Sequence, residues 1–488
     1  MNYSLALLEI LVVALGLGLL LADVWTPPER KRALGYWAAG GVGVVLLLSL
    51  VPAGTGGGAV SAFGGMFVQD GLALFFKRFF LLAAGGVLVL SVEFADRFDV
   101  GVAEYYALIL FALCGMMIAA SANDLVLVFV ALELITITFY VLTSFERRRL
   151  PSLEAGVKYL ILGALASAFL VFGLALVFGT ANTTNFTALA SKAPALLNQP
   201  IFQLGGVLVL AGLGFKIAAF PFQIWAPDVY QGAPTPTTAF LAVGSKAAGF
   251  ALLLRWLFGA VPDVALSWEK LLMFVAGATI LYGNLCAIPQ RNLKRLLGYS
   301  SIAHAGYMLL GVVVMTPAGS TAVLFYLGGY LFTLLAAFTV ITLVTRQLEG
   351  EDLACLAGLH GRSPLLAATM TLAMVSLAGV PPLAGFFGKF LLLKSVAEQA
   401  VGFAAYYWLL AVAVVGVVIS LYYYFGVVRA IFWSAEVPNV APIEISRPIR
   451  VSLYVCAAAM LYLGVAPSLL VKWATVASES LPRLAGGQ

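Results

Sequence analysis

The sequence predicts an all-α integral membrane protein of about fourteen transmembrane helices, with two inverted five-helix repeats and two Pro-broken helices. Three observations lead there. Of 488 residues, 62% are hydrophobic and only 10% charged, against about 25% charged in soluble domains. Apolar runs of about 20 residues, enough to cross the hydrocarbon core as a helix, recur along the whole length. Glu133, Lys158, Lys216, Lys246 and Lys389 lie inside such runs, where a charge costs roughly 2.5–3.5 kcal/mol on insertion scales and marks an interior or watery path.

Hydropathy places the spans at about 5–23, 35–52, 72–92, 103–121, 124–145, 153–178, 204–225, 236–258, 269–289, 297–316, 321–345, 365–399, 404–431 and 450–470. The first carries Glu9, is followed by no small-residue cleavage site, and reads as a retained helix. The seventh contains Pro221. The twelfth is too long for one straight helix, and Pro381–Pro382 interrupts it. The longest connections, about 179–203 and 346–364, are too short for a soluble domain. The expected division is 1–100 for an N-terminal three-helix segment, 101–260 for a first half, 261–435 for a second and 436–488 for the last helix.

Orientation follows from basic residues in the connections. One set carries Arg30, Lys31, Arg32, Arg97, Arg147, Arg148, Arg149, Arg291, Lys294, Arg295, Arg346, Arg362, Arg429, Arg447 and Arg450; the opposite set carries Lys192, Lys270, Lys472 and Arg483. The richer set is expected in the cytoplasm, with both termini outside. This asymmetry also accounts for the net charge of +5 without invoking nucleic acid.

Spans four to eight and nine to thirteen each hold a broken helix in fourth place. The first reads GFKIAAFPF, with Lys216 near Pro221; the second reads GVPPLAGFFGK, with Pro382 near Lys389. They run in opposite senses, the pattern of inverted-topology repeats whose broken helices hold ion sites near the midplane.

Several chemistries lack their residues. Cys114, Cys286, Cys355 and Cys456 are scattered without a CxxC pair, which argues against an iron–sulfur or structural zinc site. His304 and His360 make no haem-type pair, and no Walker loop or dinucleotide fingerprint occurs.

The buried charges form a titratable line. Glu133 lies midway along span five, about 15 Å from either end, too deep to snorkel. Lys216 and Lys246 are also near midplane, and Lys389 follows the second break. Burial disfavours an ammonium and a nearby carboxylate favours it, so a lysine whose partner moves can carry a proton. The alternative is a static pair with Glu133, but one glutamate cannot neutralise three such lysines. Lys158 is shallower, with Glu154 in a favourable i,i+4 position. His304 can relay protons between the halves or be a hydrogen-bonded core residue. Lys77, Arg78, Arg255 and Lys394 are expected to snorkel to the outer face.

Four stretches go further: VALELITITFYVL, GFKIAAFPFQIWAPDVYQGAPTPTTAFLAVGSKAAGF, NLKRLLGYSSIAHAGYML and LAGVPPLAGFFGKF. With them the chain resembles the antiporter-like membrane subunits of proton-pumping NADH:quinone oxidoreductase (respiratory complex I), from about span three to span thirteen. The N type fits best. Subunits of the L and M types typically carry a histidine-bearing stretch where this chain reads VGSKAAGF, and the long lateral C-terminal helix of the L type is absent. The resemblance implies that Glu133, Lys216, Lys246 and Lys389 are the family's proton-path residues, with Lys158 and His304 also matching. Glu9 is a departure whose role stays open.

It further implies a subunit with no cofactor of its own, in a complex whose NADH, FMN, iron–sulfur and quinone sites lie on other subunits. The expected partners are neighbouring membrane subunits, the lipid bilayer and protons, in a bacterial inner membrane. Protons would enter from the cytoplasm near Lys158. Glu133 would hold Lys216 charged, and loosening of that pair would pass the proton to Lys246 and outward by His304 and Lys389. Moving one charge against the potential costs about 2.3 kcal/mol per 100 mV; a two-unit change in a lysine's pKa is worth about 2.7 kcal/mol, which is the right size. Two alternatives remain: a subunit of a multi-subunit sodium/proton antiporter, and a scaffold with no proton path.

Overall fold

The computed structural model describes residues 3–51, 59–98, 100–348, 350–434 and 442–482. Both chain ends and Arg483 lie outside these. Among the described residues, thirteen helices are long and apolar enough to cross a membrane. The broken pair Pro364–Ala378 and Ala384–Ala400 supplies the fourteenth path expected from hydropathy.

The connections alternate between two ends. At one end Arg32 bonds Asp96 at 2.9 Å and Arg346 bonds Asp96 at 2.5 Å, joining the connections after the first, third and eleventh spans. Beside them Arg149 and Lys294 both meet Glu351, at 2.9 and 2.8 Å. At the other end an antiparallel hairpin, Val60–Ala62 with Phe67–Gln69, closes against Ala122. Asn185 caps the helix Phe186–Leu196 there and donates to the Gly65 carbonyl at 3.0 Å. Basic residues of the richer set thus gather at one end, as the alternation of spans requires.

The most enclosed spans are the eighth, Thr235–Ala260, and the tenth and eleventh, Leu293–Val313 and Pro317–Gln347. Their side chains are buried on nearly every face, so they form the centre of the bundle. The sixth, Leu150–Ala181, keeps much apolar surface exposed, as a membrane-facing helix does.

Both predicted breaks are present. The seventh path runs Pro200–Ile217, then a non-helical link, then Trp225–Gly232. The first segments of both broken paths end on a left-handed residue, Ala218 at φ 58° and Gly379 at φ 85°. This is a common way to stop a helix. Freed backbone groups need partners at this depth, and they have them: Trp225 Nε1 donates to the Phe215 carbonyl at 3.0 Å, and Phe220 N–H donates to Thr279 at 2.9 Å. A third interruption was not foreseen. The last path is Arg447–Val465 followed, past Pro467, by Ser468–Glu479. A side chain at Gly464 would collide with the Pro382 backbone, so this bend lies level with the break in the twelfth path.

Two expectations are corrected. Lys77 does not snorkel: it is fully buried, meets Glu9 at 2.7 Å and donates to Gln69 at 2.5 Å. Arg255 is likewise buried, bound to both Asp70 oxygens at 2.8 and 3.0 Å and to the Ala120 carbonyl at 2.6 Å. Each has an acid within reach inside the bundle, so neither needs to reach water. Lys394 does stay exposed, 3.6 Å from Glu398.

Candidate functional site

The lysines of the two broken helices occupy related places. Lys216 sits in the last turn of Pro200–Ile217, and Lys389 in the second turn of Ala384–Ala400. Lys389 reaches back across its break to the carbonyls of Leu377 and Ala378, at 2.8 and 3.1 Å. Those carbonyls end the preceding half-helix, where the dipole is negative and acceptors are free. The Tyr307 ring adds a cation–π contact at 4.9 Å. Both lysines thus lie at the negative end of a half-helix.

Glu133 and Lys216 do not form the expected direct pair. The half-buried Glu133 accepts a hydrogen bond from Ser167 at 2.6 Å. Lys216 instead donates to Thr136, three residues after Glu133 on the helix Leu125–Thr143. Thr136 in turn donates its hydroxyl hydrogen bond to the Leu132 carbonyl at 2.5 Å. The two charges are held apart by hydroxyl partners, one helical turn from each other's contacts.

Lys246 follows a π-helical stretch, Leu241–Ser245, inside the eighth span. Such bulges shift side-chain direction and are frequent at functional sites. Its ammonium donates to Ser301, to the carbonyl at 2.5 Å and to the hydroxyl. Gly249, one turn further, allows close approach of the seventh path: a side chain there would meet Ile217 at 2.7 Å and Lys216 Cβ at 3.3 Å.

Ser301 lies three residues before His304 on the tenth span. His304 is buried and bonded at both ring nitrogens, Nδ1 to Tyr326 at 2.5 Å and Nε2 to Tyr424 at 2.8 Å. Tyr424 also shares a hydrogen bond with Ser300, and Tyr307 lies 6.1 Å from the imidazole between centroids. Tyr307 also touches Lys389, so His304 and Lys389 share this tyrosine as a neighbour.

Lys158 stands at the basic end. It meets Glu154 and Asp228, each at 2.7 Å, with its side chain 41% exposed. Asp228 belongs to the second half of the first broken helix and also takes Arg295 at 2.5 Å. Gln231, which Arg295 contacts at 3.1 Å, lines a polar cavity of about 670 Å³ with Arg97, Arg149, Arg346 and Glu351. Burial alone would raise the Glu351 carboxyl, but Lys294 and Arg149 outweigh it and hold it below its ordinary value.

Of the six sequence-predicted residues, Glu133 lies on the helix Leu125–Thr143, and Lys216 meets that helix at Thr136 without touching Glu133. Lys246 meets the helix Leu293–Val313, which carries His304, and Lys389 meets Tyr307 of that helix. Lys158 stands apart with Glu154 and Asp228. Sequence reasoning passed over Thr136, Ser167, Asp228, Ser301, Tyr326 and Tyr424. Asp228 was legible, since it stands in the stretch WAPDVYQG. The hydroxyl residues carried no signal, because serine, threonine and tyrosine are ordinary in membrane helices.

The fold and its buried lysines define a multi-pass membrane protein with a lysine beside each of two helix breaks. Residues 122–420 match the family described as NADH:quinone oxidoreductase/Mrp antiporter, membrane-spanning. The chain is 39% identical to NADH-quinone oxidoreductase subunit N of Desulforamulus reducens over 479 residues, 98% of each chain. It is 34% identical to a chain of Thermus thermophilus respiratory complex I with bound aureothin, at a TM-score of 0.78, covering 95% of this chain and 98% of that one. A chain of the Dietzia Mrp complex shares the fold at TM-score 0.84 and 23% identity, covering 99% and 98%. The chain belongs to the NADH:quinone oxidoreductase/Mrp antiporter membrane-subunit family.

Proposed function

We propose that the chain is the N-type, proton-translocating membrane subunit of a bacterial NADH:quinone oxidoreductase. The relatives named as that subunit match over nearly the whole length, and the observation that carries the reading is the succession of titratable and hydroxyl groups through the bundle. NADH oxidation and quinone reduction would take place on other subunits, and this chain would supply no redox centre.

Lys158, Asp228 and Arg295 form the uptake end, beside the polar cavity. The rich set of basic residues supports a cytoplasmic position for that end, which would put both termini on the periplasmic side. The proton then resides on Lys216. In the arrangement described, Lys216 rests on Thr136 and Glu133 on Ser167; exchange of these hydroxyl partners for each other would form the ion pair. A carboxylate in contact favours the ammonium and its withdrawal favours release. Release passes the proton over Gly249 to Lys246, then by Ser301, His304 and its tyrosines to Lys389. The halves 101–260 and 261–435 would supply uptake and release respectively, with 1–100 and 436–488 flanking them.

Lys216→Ala tests this. Alanine is a good helix former, and losing a buried charge removes an insertion cost, so the complex should assemble. Electron transfer coupled to pumping should fall steeply in membranes containing it. Wild-type proton uptake and NADH:quinone activity together would refute the reading. The Mrp-like fold keeps one rival: sodium-dependent proton exchange by membranes lacking NADH dehydrogenase activity would favour an antiporter subunit.

A further inference from the structure

A groove between the third span and the outer half of the last path serves none of the steps above. Its volume is about 430 Å³, and its walls include Leu74, Phe75, Leu469 and Val476. Arg78 and Lys472 are its two charged residues, and among the described residues no acid lines it.

Their depths agree. The helices Gly71–Phe94 and Ser468–Glu479 pack together, and the Leu72 N–H donates to Ser480 at 3.0 Å. Arg78 is six residues past Leu72 and Lys472 eight before Ser480, about 9 and 12 Å along their helices. Both cations thus sit about two turns below the same end of the bundle.

Neither meets a carboxylate among the described residues. Arg78 donates to the Ser49 carbonyl at 2.7 Å, and its Nε is buried with no hydrogen-bond partner among the described residues. Two cations on an apolar, membrane-facing wall are costly unless they reach an anion. Trp473 and Tyr462, each 50% exposed, flank the groove as interfacial aromatics do.

We propose that this groove binds one anionic phospholipid, with an acyl chain along the apolar wall and the phosphate held between Arg78 and Lys472. Guanidinium and ammonium donors match a phosphate through charge-assisted hydrogen bonds. A zwitterionic lipid fills the same wall but brings a positive group toward two cations.

The test uses the purified intact complex in phosphatidylcholine nanodiscs. Brominated phosphatidylglycerol or brominated phosphatidylcholine is added, and the Trp473 contribution is isolated by difference from Trp473→Phe. The anionic probe should quench that component at a mole fraction about fivefold or more lower. Arg78→Gln combined with Lys472→Gln should erase the preference and leave quenching by both lipids. Equal quenching by the two lipids in the wild-type complex overturns the proposal, and that comparison needs no variant to fold. Absence of quenching by either lipid also overturns it, because a protein subunit then covers the groove.

Discussion

Lys216 donates to Thr136, the residue one turn past Glu133, while Glu133 takes its hydrogen bond from Ser167. The acid and the base of the first half are therefore both satisfied, yet not by each other. A static ion pair would join the two directly, whereas here each rests on a hydroxyl of another residue.

Glu133→Gln keeps the shape and the Ser167 contact but removes the countercharge. Proton pumping should fall severalfold in assembled complexes, with quinone reduction reduced in parallel. Measuring both in the same membranes checks it; unchanged pumping would mean that Glu133 only holds Ser167.

Lys246→Arg should impair pumping as strongly as removal of the charge. Arginine cannot release its proton at accessible pH, and its larger head must fit a site where lysine is already buried against Ser301. Reconstituted vesicles report this as lost proton uptake. Full pumping would make the position structural.

Glu9 and Lys77 are both buried and meet at 2.7 Å. Removing one partner of such a pair typically costs about 3–5 kcal/mol, while replacing both with apolar groups is far milder. Glu9→Gln should lower the thermal midpoint of the complex, and Glu9→Leu with Lys77→Met should recover most of the loss. A double variant less stable than Glu9→Gln contradicts this.

Glu351 sets an acid limit at the basic end. Its carboxyl is held below its ordinary value of 4.5, so the folded state binds its proton less readily than the unfolded state. The resulting stability is fully present above about pH 5 and is lost as pH falls through the lowered folded value. Thermal midpoints should vary little through this group from pH 8 to 5 and then fall. Glu351→Gln should be less stable at neutral pH, since Lys294 is left buried without its acid, and should show a shallower acid loss. An equally steep acid loss in the variant would assign the effect elsewhere.

The spans and both breaks were legible because proline and apolar length act locally. Glu9 and Lys77 show where that ended. Hydropathy placed Lys77 near an outer face and supplied a reason for it to snorkel, but its acid comes from a different helix, and no periodicity reports such a pairing. The same holds for Arg255, whose partner Asp70 is 185 residues away. Pro467 also went unread as a break, because the apolar pattern continues across it. At the site, the charged residues stood out against an apolar background, whereas Thr136, Ser301 and Tyr424 matter only through the partners that folding brings to them.

The imidazole of His304 is bonded at both ends, to Tyr326 and to Tyr424. A neutral ring has one donor and one acceptor nitrogen. A proton accepted on the bare nitrogen and surrendered from the other leaves the opposite tautomer behind. The ring is then facing the wrong way for a second transfer in the same direction. It must turn over, and its two tyrosines must swing their hydroxyls round with it, before it can act again. As a relay it would work like a turnstile that passes one proton and then has to be rearmed.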